Sequence, residues 1–126
     1  MSRARQEREA AGRRAERLAA FWLQLKGYRI LAKRYRAPGG EIDLIAAWPF
    51  LGKPRLIAFV EVKQRRAFSD FAEAISPTQR RRIEAGGDAW LGANPRHAEA
   101  LCRYDAMFVA PARFPRHIKA LWRRGD

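Results

Sequence analysis

Two apolar runs joined by one short connection constrain this chain most. Residues 41 to 48 read Glu-Ile-Asp-Leu-Ile-Ala-Ala-Trp, and residues 55 to 63 read Arg-Leu-Ile-Ala-Phe-Val-Glu-Val-Lys. Their β-branched and aliphatic content predicts two strands, with Trp48 to Pro54 a hairpin-type connection of apolar tip and the second run the most central strand. Successive side chains of a strand point to opposite faces, so Asp43 should share a face with Glu41, and Glu61 with Lys63. Charge then falls on a face that ought to be core. Ionised groups are seldom buried without a partner or a metal, because leaving water costs roughly several kcal/mol per ion. Two carboxylates and a lysine at a strand junction therefore point to a site.

The flanking sequence supplies the rest of a layered fold. Ala11, Ala15, Leu18, Ala19, Trp22 and Leu25 lie at the spacing of one helix face within residues 1 to 26, which Gly27 stops, while the first ten residues are expected to fray. Tyr28 to Tyr35 reads as a strand and Pro38-Gly39-Gly40 as a turn. After a polar, basic loop from Gln64 to Asp70, Ser76-Pro77 caps a helix to about Leu91, with Ile83, Gly87, Trp90 and Leu91 as its buried face. Cys102 to Ala110 alternates as another strand. Arg116 to Trp122 is a short last element, helix or strand. The order α-β-β-β-α-β predicts a single α/β domain over residues 1 to 126, a central mixed sheet flanked by helices.

Charge narrows the partners. Lys and Arg number 26 and Asp and Glu 13 in 126 residues, a formal charge of +13. Most of the excess is arginine, which makes planar, bidentate contacts with phosphate, so nucleic acid is the leading partner. No segment is long enough to span a bilayer, so no membrane insertion is expected. The N-terminus lacks the apolar core of a secretory signal, and a lone cysteine, Cys102, suits a reducing cytoplasm, where it is expected to serve as a small buried hydrophobe. No nucleotide loop, nucleophile elbow or zinc motif is present, which argues against an NTPase, a serine hydrolase or a deaminase.

If the two central strands pair, Asp43 and Glu61 meet at one end of the sheet. Hard cations such as Mg²⁺ or Mn²⁺ take oxygen ligands, commonly one or two carboxylates with water and substrate phosphate. Such an ion polarises a scissile phosphate, and Lys63 would orient the nucleophile or stabilise developing negative charge. The alternative is an exposed Glu61–Lys63 ion pair on an edge strand with Asp43 capping a turn. The apolar runs around both segments favour the site.

Gly40-Glu41-Ile42-Asp43-Leu44-Ile45-Ala46, Phe59-Val60-Glu61-Val62-Lys63, Ala74-Ile75-Ser76-Pro77 with Arg81-Arg82, and Arg103-Tyr104-Asp105 resemble the pattern of the YraN family of bacterial proteins, from about Gly12 to Trp122. That family resembles Holliday-junction resolvases within the restriction-endonuclease-like PD-(D/E)xK nucleases. The resemblance implies a restriction-endonuclease-like fold and a metal-dependent endonuclease acting on DNA ahead of RNA, branched or structured DNA above all. Asp43 and Glu61 would be the metal ligands, with the carbonyl of Val62 a third, Lys63 the catalytic lysine and Glu16 a further acid near the metal. It also implies a homodimer, which places two sites on two strands. A noncatalytic nucleic-acid-binding protein that retains the fold is the competing class. Ile42 replaces the superfamily's proline, which ligates nothing, and Gln79 stands where many relatives have lysine.

Phosphate contacts are expected from Arg34, Arg36, Arg65, Arg66, Gln79, Arg80, Arg81 and Arg82, next to the site strands in sequence, although a solvated charged face accounts for some of them. Trp48, Phe50, Phe68 and Phe71 have the flat faces that stack on unpaired bases, but core packing is the commoner use of such residues. Glu41 reads as a strand-start carboxylate, and His97 and His117 as packing or surface residues.

Overall fold

The computed structural model describes residues 2–66 and 74–125. Helix α1 (Arg3–Leu25) begins at Ser2, whose side chain accepts the Arg5 N–H at 3.1 Å, and ends ahead of Gly27 in the left-handed region at φ +93°. Strands β1 (Arg29–Ala37), β2 (Gly40–Trp48) and β3 (Leu56–Gln64) follow, then α2 (Pro77–Ala93), a 3₁₀ turn at Pro95–His97, β4 (Leu101–Val109) and β5 (Arg116–Trp122). The five strands form one sheet in chain order. Only β3 and β4, joined through α2, run parallel; the short connections leave the other neighbours antiparallel.

A helix covers each face. Ile42, Ile45, Ile57, Phe59, Tyr104 and Phe108 pack with Ile83 and Trp90 of α2, whereas Leu44, Ala46, Ala58, Val60 and Met107 pack with Ala15, Ala19 and Leu23 of α1. β3 is buried at Ile57, Ala58, Phe59 and Val60, as expected of the central strand. α2 keeps its predicted start, Ser76 and Gln79 forming a reciprocal capping box, and it rests on the sheet main chain to main chain. A Cβ at Gly40 would land on the Gly86 backbone, and one at Gly86 would sit 3.0 Å from the Ile42 side chain. Gly86 and Gly87 are therefore the buried middle of α2, in place of Leu91.

Three other expectations are corrected. Arg116–Trp122 is a strand, so the order is α-β-β-β-α-β-β. The α1 face on the sheet is turned toward its small residues: Ala15, Ala19, Ala20 and Leu23 are buried, and Leu18 and Leu25 lie 40% and 64% exposed. Alanines let the helix axis come close to the sheet, which leaves the larger residues on its flank. Cys102 is exposed, because β4 starts beyond the covering helices, with its neighbour Leu101 also in solvent.

Candidate functional site

Asp43 occupies a place where its strand is released on both sides. The β2–β3 ladder runs from Trp48↔Leu56 to Leu44↔Val60 and stops before Asp43 and Glu61. On the other side, Lys33↔Leu44 and Tyr35↔Ile42 are paired, but the intervening Arg34 and Asp43 are not. Arg34 sits in the left-handed region at φ 51°, uncommon for a non-glycine residue. The alternation also resets here: Ile42 packs on the α2 side with Ile45 and Ala47, not with Leu44. The expected common face of Glu41 and Asp43 along an unbroken strand is thereby lost.

The freed groups find each other through side chains. Val62 N–H donates to Asp43 Oδ2 at 2.8 Å, a side-chain substitute for a ladder bond. Glu61 lies against Asp43, and burial, then its hydrogen bond with Asp43 and the charge of Asp43, push its pKa up to about 9, while Lys63 opposes the rise. The two carboxyl groups titrate as a pair, and burial beside a second acid favours a proton on Glu61.

A cleft of about 420 Å³ opens beside Asp43, walled by Glu9, Arg13 and Glu16 of α1 and by Arg34, Arg36 and Glu41 of the sheet. Arg34 clamps Glu16 in a fork, its Nε at 2.8 and 3.1 Å from the two carboxylate oxygens and its Nη2 at 3.0 Å. Glu41 stands 4.0 Å from Arg36 and 3.9 Å from Arg82. Glu61 and Lys63 do not line this cleft.

The remaining candidates are spread over the molecule. Arg65 donates to the Gln64 carbonyl at 2.6 Å and, with Arg66, lines a separate cleft of about 720 Å³ between α1 and the end of β4. Arg80 donates to the Ile75 carbonyl and lies over Trp122 at 5.5 Å; Arg81 reaches Thr78 at 3.4 Å. Gln79 is engaged in the helix cap. Phe68 and Phe71 fall outside the described residues, and Trp48 and Phe50 are solvent-exposed. His97 is a packing residue, buried and stacked on Trp90.

Two carboxylates from adjacent strands suit a hard cation that takes its other ligands from water and phosphate. Among the described residues no group of three Asp, Glu, His or Cys side chains converges. A cation at Asp43 and Glu61 would take the place of their shared proton.

One acid stronger in its contacts was passed over. Asp105, fully buried in β4, accepts from Arg103 at 2.7 and 2.6 Å, from Ala120 N–H at 2.9 Å, and lies 2.8 Å from His117 Nε2. Arg103 also donates to the Tyr28 hydroxyl at 2.7 Å, and Lys26 Nζ is 2.6 Å from His117 Nδ1. A charged Lys26 can only donate, which leaves the ring proton on Nε2, facing Asp105. The signal was the same as at Asp43: a carboxylate inside an apolar strand.

The topology and the acidic pair define a mixed α/β protein with a half-buried carboxylate site on neighbouring strands beneath a basic helix. The chain belongs to the uncharacterised protein family UPF0102, the YraN family, which it matches over residues 15–109. It is 51% identical over 117 residues to a UPF0102 protein of Bradyrhizobium diazoefficiens, covering 90% of this chain and 84% of that protein. Similar UPF0102 proteins occur in Rhodopseudomonas palustris, 51% identical over 90% of this chain and 86% of that one, and in Chelativorans, 47% identical over 94% and 91%. No helix among the described residues is long and apolar enough to cross a membrane.

Proposed function

We propose that this protein is a Mg²⁺- or Mn²⁺-dependent endonuclease of restriction-endonuclease-like fold that hydrolyses phosphodiester bonds in DNA, branched or structured DNA above all, in the cytoplasm. The observation that carries this reading is the Asp43–Glu61 pair, two carboxyl groups held together where β2 and β3 part, with Lys63 on the same strand as Glu61. Buried carboxylates that share a proton store repulsion that a cation relieves, which is an arrangement for binding a metal rather than for holding a fold. When bound, the cation polarises the scissile phosphate and makes water a better nucleophile. Asp43 and Glu61 hold it, with the Val62 carbonyl the third protein ligand in the resemblance.

Lys63 then positions the attacking water and offsets charge as it develops on the phosphoryl oxygens. Arg36, on the rim of the cleft, holds the nucleic-acid backbone, whereas Arg34 is paired with Glu16 at 2.8 Å. A homodimer would carry two such sites to two strands.

Labelled single-stranded, duplex, flapped and four-way-junction DNA, incubated with Mg²⁺ or Mn²⁺, tests the proposal. Cuts should appear only with the ion and vanish in both Asp43→Ala and Lys63→Ala. Intact DNA throughout, with binding retained, identifies a noncatalytic nucleic-acid-binding protein. That second reading draws on the Glu16–Arg34 clamp, which ties up one acid and one arginine of the cleft.

A further inference from the structure

At the end of the sheet away from Asp43, a larger groove of about 980 Å³ gathers the last residues of β2 and β5 and the first of β3 and β4. Leu56, which lines it, precedes Glu61 by five residues, about 16 Å along the strand. Six of its sixteen lining residues are Lys or Arg, and only Asp88 is acidic. The local acids are already engaged. Asp105 is enclosed by Arg103, His117 and the Ala120 N–H. Asp88 holds Arg124 through two contacts of 2.7 Å, and Glu84 accepts from the Trp122 indole at 2.9 Å.

Lys26, Lys119 and Arg55 are exposed cations on this groove. Lys119 is near enough to Lys26 to lower its proton affinity, after burial the largest cause of that shift. β5 carries a bulge here: the register slips between Tyr104 and Ala106, Ala120 adopts φ 51°, and Asp105 fixes that turn through the Ala120 N–H. Bulges re-aim side chains, and Lys119 lies next to this one, on the same groove as Lys26. Trp48, beside Gly27 at the end of α1, adds a flat apolar face that is 41% exposed.

Clustered cations beside an open aromatic ring match a ligand that is anionic at one end and a planar ring at the other. We propose that this groove binds a nucleotide, free or as an unpaired residue of a nucleic-acid strand, with Lys26, Lys119 and Arg55 meeting its phosphate and the indole of Trp48 its base. The site is separate from the carboxylate pair and does not depend on cleavage there.

Tryptophan fluorescence, titrated with ATP and separately with a short oligothymidylate in the absence of divalent ions, tests this. Saturable quenching is expected with at least one of the two. Lys119→Ala and Arg55→Ala, both at exposed positions and checked for folding by circular dichroism, should each weaken binding about tenfold, Trp48→Leu should remove most of the quenching, and Asp43→Asn should bind as the parent does. Binding of ATP assigns the groove to a free nucleotide, and binding of the oligonucleotide alone assigns it to a strand. No saturable binding of either probe, or affinities unchanged in both cation variants, overturns the proposal.

Discussion

Two carboxylates of this sheet lie in apolar strands, yet they are supported in opposite ways. Burial alone would raise the pKa of Asp105, but hydrogen bonds from His117, Arg103 and Ala120 N–H outweigh it and hold the group below the usual carboxylate range. Glu61 is pushed up instead, by burial first and then by its hydrogen bond with Asp43 and the charge of that second acid, and Lys63 offsets only part of the cost. A carboxylate surrounded by donors joins elements together: Asp105 ties β4 to the β5 bulge and, through Arg103 and Tyr28, to the end of α1. The Asp43–Glu61 pair has one such join, from the Val62 N–H to Asp43. Its cost to the fold is what makes it a candidate for chemistry.

The contrast makes its largest prediction at Asp105. Asp105→Ala leaves the Arg103 guanidinium without its partner and should destabilise the protein by about 3–5 kcal/mol, measured by denaturant unfolding. Asp43→Asn should cost far less, and a comparable loss in the two variants would erase the distinction. Glu61→Gln should go the other way. A carboxyl whose folded pKa lies above its unfolded value loses stability as pH rises from the unfolded pKa toward the folded one, here from about 4.5 to about 9. The glutamine variant escapes that loss, so at pH 8 it should melt higher than the parent, by on the order of 2 kcal/mol, and the gap should close by pH 4.

Metal adds a sharper test of the same pair. Mn²⁺ at ten times its dissociation constant should stabilise the parent by about 1.4 kcal/mol in a thermal melt and leave Asp43→Asn and Glu61→Gln unmoved. Equal shifts in all three would place the ion elsewhere. At the acid end, stability from Asp105 is present above its unfolded pKa and lost as pH falls through its lowered folded value. Melting of the parent should therefore drop below about pH 4, and Asp105→Asn should lack that part of the fall. The smallest effect belongs to Asp88, whose pKa is lowered chiefly by its hydrogen bond from Arg124 in solvent; Asp88→Ala should cost about 0.5 kcal/mol, detectable as a salt-dependent shift.

What the sequence makes legible follows from the same physics. A charge within an apolar run is conspicuous wherever it falls, which is why Asp43 and Glu61 stand out before any geometry is known. Ser76-Pro77 marks a helix start because the cap is local chemistry. The fate of Arg116 to Trp122 was not legible, since the bulge at Ala120 breaks its alternation and its support comes from Asp105, fifteen residues earlier. On α1 the helical spacing picks out Ala15 and Ala19, which are buried, together with Leu18 and Leu25, which the sheet leaves outside in favour of Ala20 and Leu23. Arg34 looked like one of many solvated arginines; nothing in its neighbours announces a left-handed backbone aimed at Glu16 on another element.

The main-chain contact at Gly40 and Gly86 bears on how much error the carboxylate pair tolerates. Where Gly40 meets Gly86 no side chain separates the two backbones, so the approach of α2 to the strand that carries Asp43 is limited there by bonded geometry and van der Waals radii. One wall of the 420 Å³ cleft is therefore a rigid datum. The opposite wall, α1, is held to the sheet by the packing of Ala15, Ala19 and Leu23, by Gln64 on the Ala11 carbonyl, and at the cleft by the fork of Arg34 to Glu16. Any adjustment in width comes from the α1 side, where that fork joins the two walls.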